Sequence, residues 1–503
     1  MSESGPANPA RRTLLSGLVA VAASQLAACG GGGGSSGTGT TVQTPPTTGA
    51  TATDLPIVPL VQGTVDGSGT RVFSLQVGAG TTTFRAGVAT RTLGYNGALL
   101  GPALHLRKGE RVRIDVQNGL TESTTVHWHG LDVPAEADGG PHQVIAAGGR
   151  WSANFTVANP ASTCWYHPHA HGATGRQVVS GLAGLLVIDD PAIGSAGLPN
   201  TWGVDDVALV LQDKRFDSSG QLDYTLTATD LQVGYTGDVP LVNGALAPTF
   251  KAPQQWVRLR LLNGCNSRTL SLRLAGNLPL SQVANEAGLL AQPVVRSSVT
   301  LVPGERAEVL VNLGTASLGQ DIALYASYAA TGMGMGSGGS QGEVAAMTIR
   351  VDKVAQVGAM TAVPASLPAA SAITAPAGAT ARTIRLDGGM MGSPFTLNGR
   401  SFDIARIDMT VPAATTEVWT FTNTTMMAHP MHVHGVRMSL LTRNGAAPRA
   451  EEQGLRDTFN VDSMETVQVA VRTADTPSAS PLMFHCHILE HEDAGMMGQF
   501  ITA

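Results

Sequence analysis

The sequence predicts an all-β protein built as three consecutive Greek-key β-sandwich domains, and three observations carry that reading. Composition is the first. Of 503 residues only 14% are charged and 60 are glycine, and few long apolar patterns have helical period, which favours short strands joined by turns. The second is an internal repeat. Residues 109–118, 255–263 and 417–423 alternate apolar and polar side chains and end in Asn118, Asn263 and Asn423, the pattern of a half-buried strand entering a loop. The copies lie roughly 150 residues apart, about the length of one domain. The third is a later strand that recurs at 151–157, 307–312 and 466–472. After it the first and third units carry histidine-rich segments, whereas the middle unit carries 323–330, which has no histidine or cysteine.

The units follow in order. Arg11 and Arg12 precede an apolar run, residues 14–28, too short for a comfortable transmembrane helix and suited to an export signal. The arginine pair resembles a twin-arginine signal. Leu26-Ala27-Ala28-Cys29 resembles a lipobox, so Cys29 is expected to carry a lipid and anchor the chain to a membrane from the periplasm; the alternative is a plain cleaved signal. Residues 1–28 are thus read as the signal and 29–54, rich in Gly, Ser, Thr and Pro, as a flexible tether. Residues 55–191 form the first sandwich and 192–352 the second, which carries no metal. A linker of Ala, Pro and Ser spans 353–381, and 382–503 form the third sandwich. The net charge of −6, with no basic stripe, argues against a nucleic-acid partner. Of the four cysteines, Cys164 and Cys265 are either a disulfide or buried free thiols, and the sequence leaves both open.

The chemistry lies in four His-x-His pairs: His127/His129, His167/His169, His432/His434 and His485/His487. This spacing on a strand points both rings to one face. The chain has 13 histidines and none between His171 and His429. Isolated structural histidines would not fall this way, so the pairs imply a metal cluster shared between the two ends of the chain. Cys486 sits between His485 and His487, with His491 and Met496 five and ten residues beyond it. A thiolate, two imidazoles and a weak thioether make a blue-copper electron-transfer site, with His429 supplying the second imidazole. Zinc rarely accepts a thioether. An electron arriving at Cys486 has a short covalent path to the flanking histidines, so single electrons can be collected and delivered to O2, which needs four to become water.

These segments, His127-Trp128-His129-Gly130, Cys164 through Gly172, His429-Pro430-Met431-His432-Val433-His434 and His485-Cys486-His487, resemble the four copper motifs of multicopper oxidases. The resemblance runs from about Leu55 to the end, and residues 171–188 and 261–266 are most similar to the bacterial copper-efflux branch. It implies cupredoxin-like domains and four copper ions. His429, Cys486, His491 and Met496 would hold the type 1 copper, and His127 and His432 the type 2 copper. His129, His167 and His487 would hold one type 3 copper, and His169, His434 and His485 the other. The resemblance also implies that Asp138 and Glu492 donate protons; the competing reading is a solvated loop acid for each. Among the remaining histidines, His171 is read either as orienting a ligand or as a loop residue, and His105 and His142 as structural.

The electron donor is less defined. Fifteen of the 16 methionines lie at or beyond Met333. Met333 and Met335 in a glycine-rich loop, the pair Met390-Met391, and Met427 are candidates to recruit Cu(I), which thioethers suit; the competing reading is core filling. Two departures from the efflux branch count against a dedicated Cu(I) role. A long Met/His-rich insertion is missing, and Thr425 stands where an acidic residue is expected. The expectation is a laccase-type oxidase with O2 as acceptor and phenolic or other organic reductants as donors, Cu(I) being a further candidate. The alternatives are a dedicated cuprous oxidase for periplasmic copper tolerance and, against the intact ligand set, a copper-free structural or cell-division factor.

Overall fold

The computed structural model describes residues 53–328, 342–389 and 392–503. The signal, most of the tether with Cys29, and Met333, Met335, Met390 and Met391 lie outside the described residues.

The described chain is all-β, with strands in six sheets that pair off along the sequence. The first pair joins the strands Ala103–Arg107, Gly184–Asp189, Ser162–His167 and His127–His129 against a sheet centred on Arg71–Arg85 and Arg111–Asn118. Phe73, Ile114, Trp128, Tyr166 and Leu186 fill the space between them. The second pair is centred on Trp256–Asn263 and Asp321–Tyr328, and the third on Thr416–Asn423 and Ser478–Cys486. Each has its own buried apolar core. These are three consecutive cupredoxin-like β-sandwiches. Among the described residues, no helix is long and apolar enough to cross a membrane.

The repeat read in the sequence is a repeat of structure. Arg111–Asn118, Trp256–Asn263 and Thr416–Asn423 each pair in parallel with an earlier strand and antiparallel with the later recurring one. The terminal asparagine has a physical task in every copy. Asn118 Nδ2 donates to the carbonyls of Glu122, Ile145 and Ala146 while its Oδ1 accepts from Leu120 N. Asn263 bridges Arg268 O, Leu301 O and Cys265 N, and Asn423 bridges Met427 O, Val461 O, Asp462 O and Thr425 N. A buried side-chain amide thus satisfies the backbone groups a chain exposes when it leaves a sheet. In the first and third copies the loop it shapes leads to His127 and His429.

Three features were not read from the sequence. The middle copy, Trp256–Asn263, is buried on both faces, because its polar positions Arg258 and Arg260 pack toward the first sandwich with ion partners. Arg260 meets Asp206 through two hydrogen bonds of 2.7 and 2.8 Å, and Arg258 pairs with Glu308. At the end of the tether, Asp54 forms a parallel bridge with Thr249, and the Leu55 side chain enters the core of the second sandwich. Residues 354–380 hold no regular strand, yet Leu367 packs with Leu198, Val283 and Leu310 and Ile373 N donates to Ser439 Oγ, so this linker is laid down on the protein. Cys164 and Cys265 are buried free thiols in separate cores.

Candidate metal centre

Strand pairing assembles the site. His127 and His167 are opposite each other on antiparallel strands of the first sandwich, as are His432 and His485 in the third. The two sandwiches meet along these strands. Eight histidines, His127, His129, His167, His169, His432, His434, His485 and His487, are each no more than 1% exposed.

The hydrogen bonds fix how the rings face. His127, His167, His432 and His485 donate Nδ1–H to the carbonyls of Asp138, Pro168, Asp457 and Cys486 at 3.1, 2.8, 2.7 and 3.0 Å. His434 donates Nδ1–H to Asp138 Oδ2 at 2.8 Å. A carbonyl or carboxylate only accepts, so each far nitrogen carries the proton and each Nε2 lone pair points inward. His129 is reversed: its Nε2 meets Asp457 Oδ1 at 3.1 Å and Thr458 Oγ1 at 2.9 Å, leaving Nδ1 inward. The inward nitrogens are close. His127 and His432 are 3.4 Å apart, His129 and His167 3.4 Å, His169 and His485 3.2 Å, His434 and His485 3.0 Å. Lone pairs at these distances repel unless a cation lies between them. Burial and the neighbouring rings push His129, His167, His169, His432, His434 and His485 well below the usual imidazole range, and burial takes His487 down to about 3. The rings are therefore neutral, the form that binds a metal.

The geometry brings one of the expected trios together whole and parts of the other sets into overlapping groups. His169, His434 and His485 have ligand atoms within 4.8 Å of one another, and His127 shares such groups with His432 and His434 and with His129 and His167. His487 stands beside the rings of His129 and His167, at centroid distances of 4.9 and 5.4 Å. Neither of its ring nitrogens has a hydrogen-bond partner. Its ring is placed by packing against Trp165 and Gly304, where a Cβ would come within 2.9 Å of the imidazole.

The second group lies within the third sandwich. Cys486 Sγ is 3.5 Å from His429 Nδ1 and 3.7 Å from His491 Nδ1, and Met496 is fully buried in the same core. Their outer nitrogens are held: His429 Nε2 bonds Thr425 Oγ1 at 2.9 Å, and His491 Nε2 bonds the Gln232 carbonyl of the second sandwich at 3.0 Å. Burial lifts the Cys486 thiol well above its usual range and lowers His491 to about 4. A thiolate in this setting requires a bound cation. The donor set, soft sulfur with neutral imidazoles, fits copper.

The acids expected near the cluster are both buried against it. Asp138, 1% exposed, holds His434 and lies 3.4 Å from His127 Nδ1. Glu492 Oε1 is 3.2 Å from His169 Nδ1 and Oε2 3.4 Å from His485 Nδ1, and burial raises its carboxyl well above the usual range. Neither is a solvated loop acid. His105 and His142 make hydrogen bonds with Gln62, Asp189 and Gln499, and the exposed His171 contacts Phe402. Met427 is buried in the third core, and Met426 beside it is 57% exposed. Sequence reasoning missed Asp457, Thr458, Arg306, Gln232 and Gly304; Gly130, directly after His129, was the one available signal.

Three cupredoxin-like sandwiches with a thiolate site joined to a histidine cluster define a class, the copper-binding oxidoreductases. The profile of the multicopper oxidase family matches residues 76–193 and 372–503. A multicopper oxidase of Staphylococcus haemolyticus is 35% identical over 438 residues, covering 86% of this chain and 89% of the relative. The solved laccase-like multicopper oxidase CueO of Ochrobactrum sp., described as active towards lignin model compounds and lignosulfonate, is 39% identical with a TM-score of 0.80, covering 89% of this chain and 100% of that one. The cell division protein FtsP of Escherichia coli is 32% identical, covering 83% of this chain and 87% of the relative. The chain belongs to the multicopper oxidase family.

Proposed function

We propose that the protein is a laccase-type oxidase, coupling one-electron oxidation of phenolic and other organic donors to the four-electron reduction of O2 to water. The observation that carries this reading is the convergence of inward-facing histidine nitrogens, joined through Cys486 to a separate thiolate group. Four copper ions are proposed: type 1 on His429, Cys486, His491 and Met496, type 2 on His127 and His432, and type 3 on His129, His167 and His487 and on His169, His434 and His485. Copper bound there supplies one-electron redox steps and the store of electrons that O2 requires. The protein supplies the rest. His485 and His487 flank Cys486, so one strand carries both centres. Asp138 and Glu492, set against the ring N–H groups, are proposed to pass protons toward the cluster.

The surroundings of the thiolate group support an organic donor. Thr425, where an acid would suit a cation, is a buried hydroxyl spent on His429, Asn423 and Met427. Exposed apolar side chains lie beside it, Leu231 next to Gln232, Met426 next to Thr425, and Met464 next to Ser463, which bonds Thr425 O, interspersed with the exposed Thr424 and Asp462. Cu(I) is the further donor, with Met333, Met335, Met390, Met391 and Met427 proposed to recruit it.

On this reading residues 55–191 and 382–503 carry copper, 192–352 do not, and 353–381 join them. Residues 1–28 direct export to the periplasm and 29–54 tether the protein through a lipidated Cys29. Oxygen uptake by copper-loaded protein, with a phenol and with Cu(I) compared, tests the function. Faster uptake with the phenol is expected; uptake with Cu(I) alone would favour the cuprous oxidase, and uptake with neither a non-enzymatic structural or cell-division role.

A further inference from the structure

We infer that Arg306, from the sandwich that carries no copper ligand, is a positioning residue for the histidine cluster, acting through Asp457 on His129 and His432; this rests on the copper-oxidase reading.

Arg306 is fully buried at the start of the strand Arg306–Asn312, and its guanidinium reaches all three sandwiches. Nε donates to Thr163 O of the first at 3.0 Å, and Nη1 to Gly304 O of the second at 3.0 Å. Nη1 and Nη2 donate to Asp457 Oδ1 and Oδ2 of the third at 2.8 and 2.6 Å. The planar fork leaves the carboxylate one orientation. That carboxylate orders the His129 ring, and the backbone of the same residue holds the His432 ring. Oδ1 accepts from His129 Nε2, and the Asp457 carbonyl accepts from His432 Nδ1. His129 is the ring that faces the cluster through Nδ1, and an acceptor at its Nε2 is what selects that tautomer. Thr458 also contacts this nitrogen, yet its hydroxyl donates to Asp457 Oδ1, so it answers to the same carboxylate.

An independent observation points the same way. Gly130, directly after His129, has φ +93°, and a Cβ there would lie 2.5 Å from Asp457 Oδ2 and 2.6 Å from Arg306 Nη2. The motif's glycine is thus the space in which the pair sits. A buried ion pair is weak evidence for stability, since apolar replacements are often neutral or better. The sandwiches hold other buried pairs of the same kind, such as Arg260 with Asp206, that touch no cluster ring. What sets Arg306 apart is the ring at the end of its chain of bonds.

The test uses full-length, copper-loaded protein and the variants Arg306→Lys, Asp457→Asn and, for comparison, Arg260→Lys. Melting temperature, the blue absorption of thiolate-bound copper, the electron paramagnetic resonance of the non-blue copper, and copper content are read alongside oxygen uptake. Arg306→Lys and Asp457→Asn should keep the blue band, alter the non-blue resonance and lower turnover by about tenfold or more, the range for lost partners of metal-bound histidines. Arg260→Lys should lower the melting temperature alone. The inference is overturned if the first two variants keep the parent resonance and turnover, or if Arg260→Lys alters the resonance equally. It is overturned too if both lose the blue copper or fail to fold, because the pair would then only hold the sandwiches together. A colourless parent would instead defeat the copper-oxidase reading itself.

Discussion

The second and third sandwiches share the asparagine latch and, apart from an extra edge strand in the second, their strand order. Both hold buried ion pairs, such as Arg268 with Asp213 and Arg443 with Glu452, yet the groups placed around the latch differ. In the second, charge meets charge: Arg260 with Asp206, Arg258 with Glu308, and Arg268 with Asp213. Although burial opposes it, Arg258 and Arg260 hold the Glu308 carboxyl down to about 2. The third adds neutral rings with inward lone pairs and a cysteine whose thiol burial lifts well above its usual range. The charges of the second have partners of opposite sign, whereas the inward nitrogens at the third face one another at 3.0 Å, as between His434 and His485. On the proposed reading, the same frame serves as a support or as a redox centre according to which residues follow the latch.

The largest effect should come from the residue that joins the two centres. Cys486→Ser should abolish the blue absorption and reduce donor-driven oxygen uptake to background, while the histidine cluster keeps its copper. Metal analysis with visible and paramagnetic resonance spectra checks this. Retention of uptake would show that electrons reach the cluster by a route that avoids Cys486.

Next in size is Gly304→Ala, which puts a residue of the supporting sandwich against the cluster. Its φ of +82° costs an alanine ~1–2 kcal/mol, and the added methyl pushes on the His487 ring, which no hydrogen bond restrains. Copper affinity of the cluster or turnover should fall by about 10–100-fold with the blue band intact. Equal loss of blue absorption would mean that the two centres are not separable in this way.

A smaller effect is expected at Thr425→Val. The isosteric change leaves the His429 Nε2–H without an acceptor and frees the ring to turn, at a cost of ~1–3 kcal/mol. The blue band and the reduction potential should shift, with donor rates changed by no more than about tenfold, equivalent to ~1.4 kcal/mol. An unshifted spectrum would show that packing against Phe395, 4.7 Å from the His429 ring, suffices to hold it.

What could be read from the sequence follows the range of the interactions. Cys486, His491 and Met496 are close in sequence and constrained by one loop, so their spacing displays the thiolate site. The asparagine latches are visible because each ends an alternating run. Arg306 and Asp457 are some 150 residues apart, and each looks like an ordinary charge at a strand end. Only the docking of three sandwiches gives them a shared role. Arg258 and Arg260 misled in a related way: placed among apolar residues, they mimic the exposed face of a half-buried strand, and their partners Glu308 and Asp206 come from other strands. Tether composition predicted flexibility through residue 54, but the bridge from Asp54 to Thr249 depends on a surface elsewhere in the chain.

The smallest expected effect on the copper chemistry tests the self-neutralised side of the comparison. Lys214, in the second sandwich, is 1% exposed and donates to Val178 O. Burial pushes its amine down from 10.5 to about 8, against the opposing pull of Asp213. In the unfolded chain the amine keeps its proton to about pH 10.4. Between pH 8 and that value the unfolded state binds the extra proton, so stability rises with pH across the window. Below it Lys214 destabilises the fold by ~3 kcal/mol. Lys214→Met should remove that burden, lose ~1–2 kcal/mol with the hydrogen bond, and be the more stable protein at pH 7. Its advantage should vanish toward alkaline pH, with spectra and turnover unchanged. Urea unfolding at both pH values checks this; a variant less stable at pH 7 would place Lys214 among the paired charges that hold the second sandwich together.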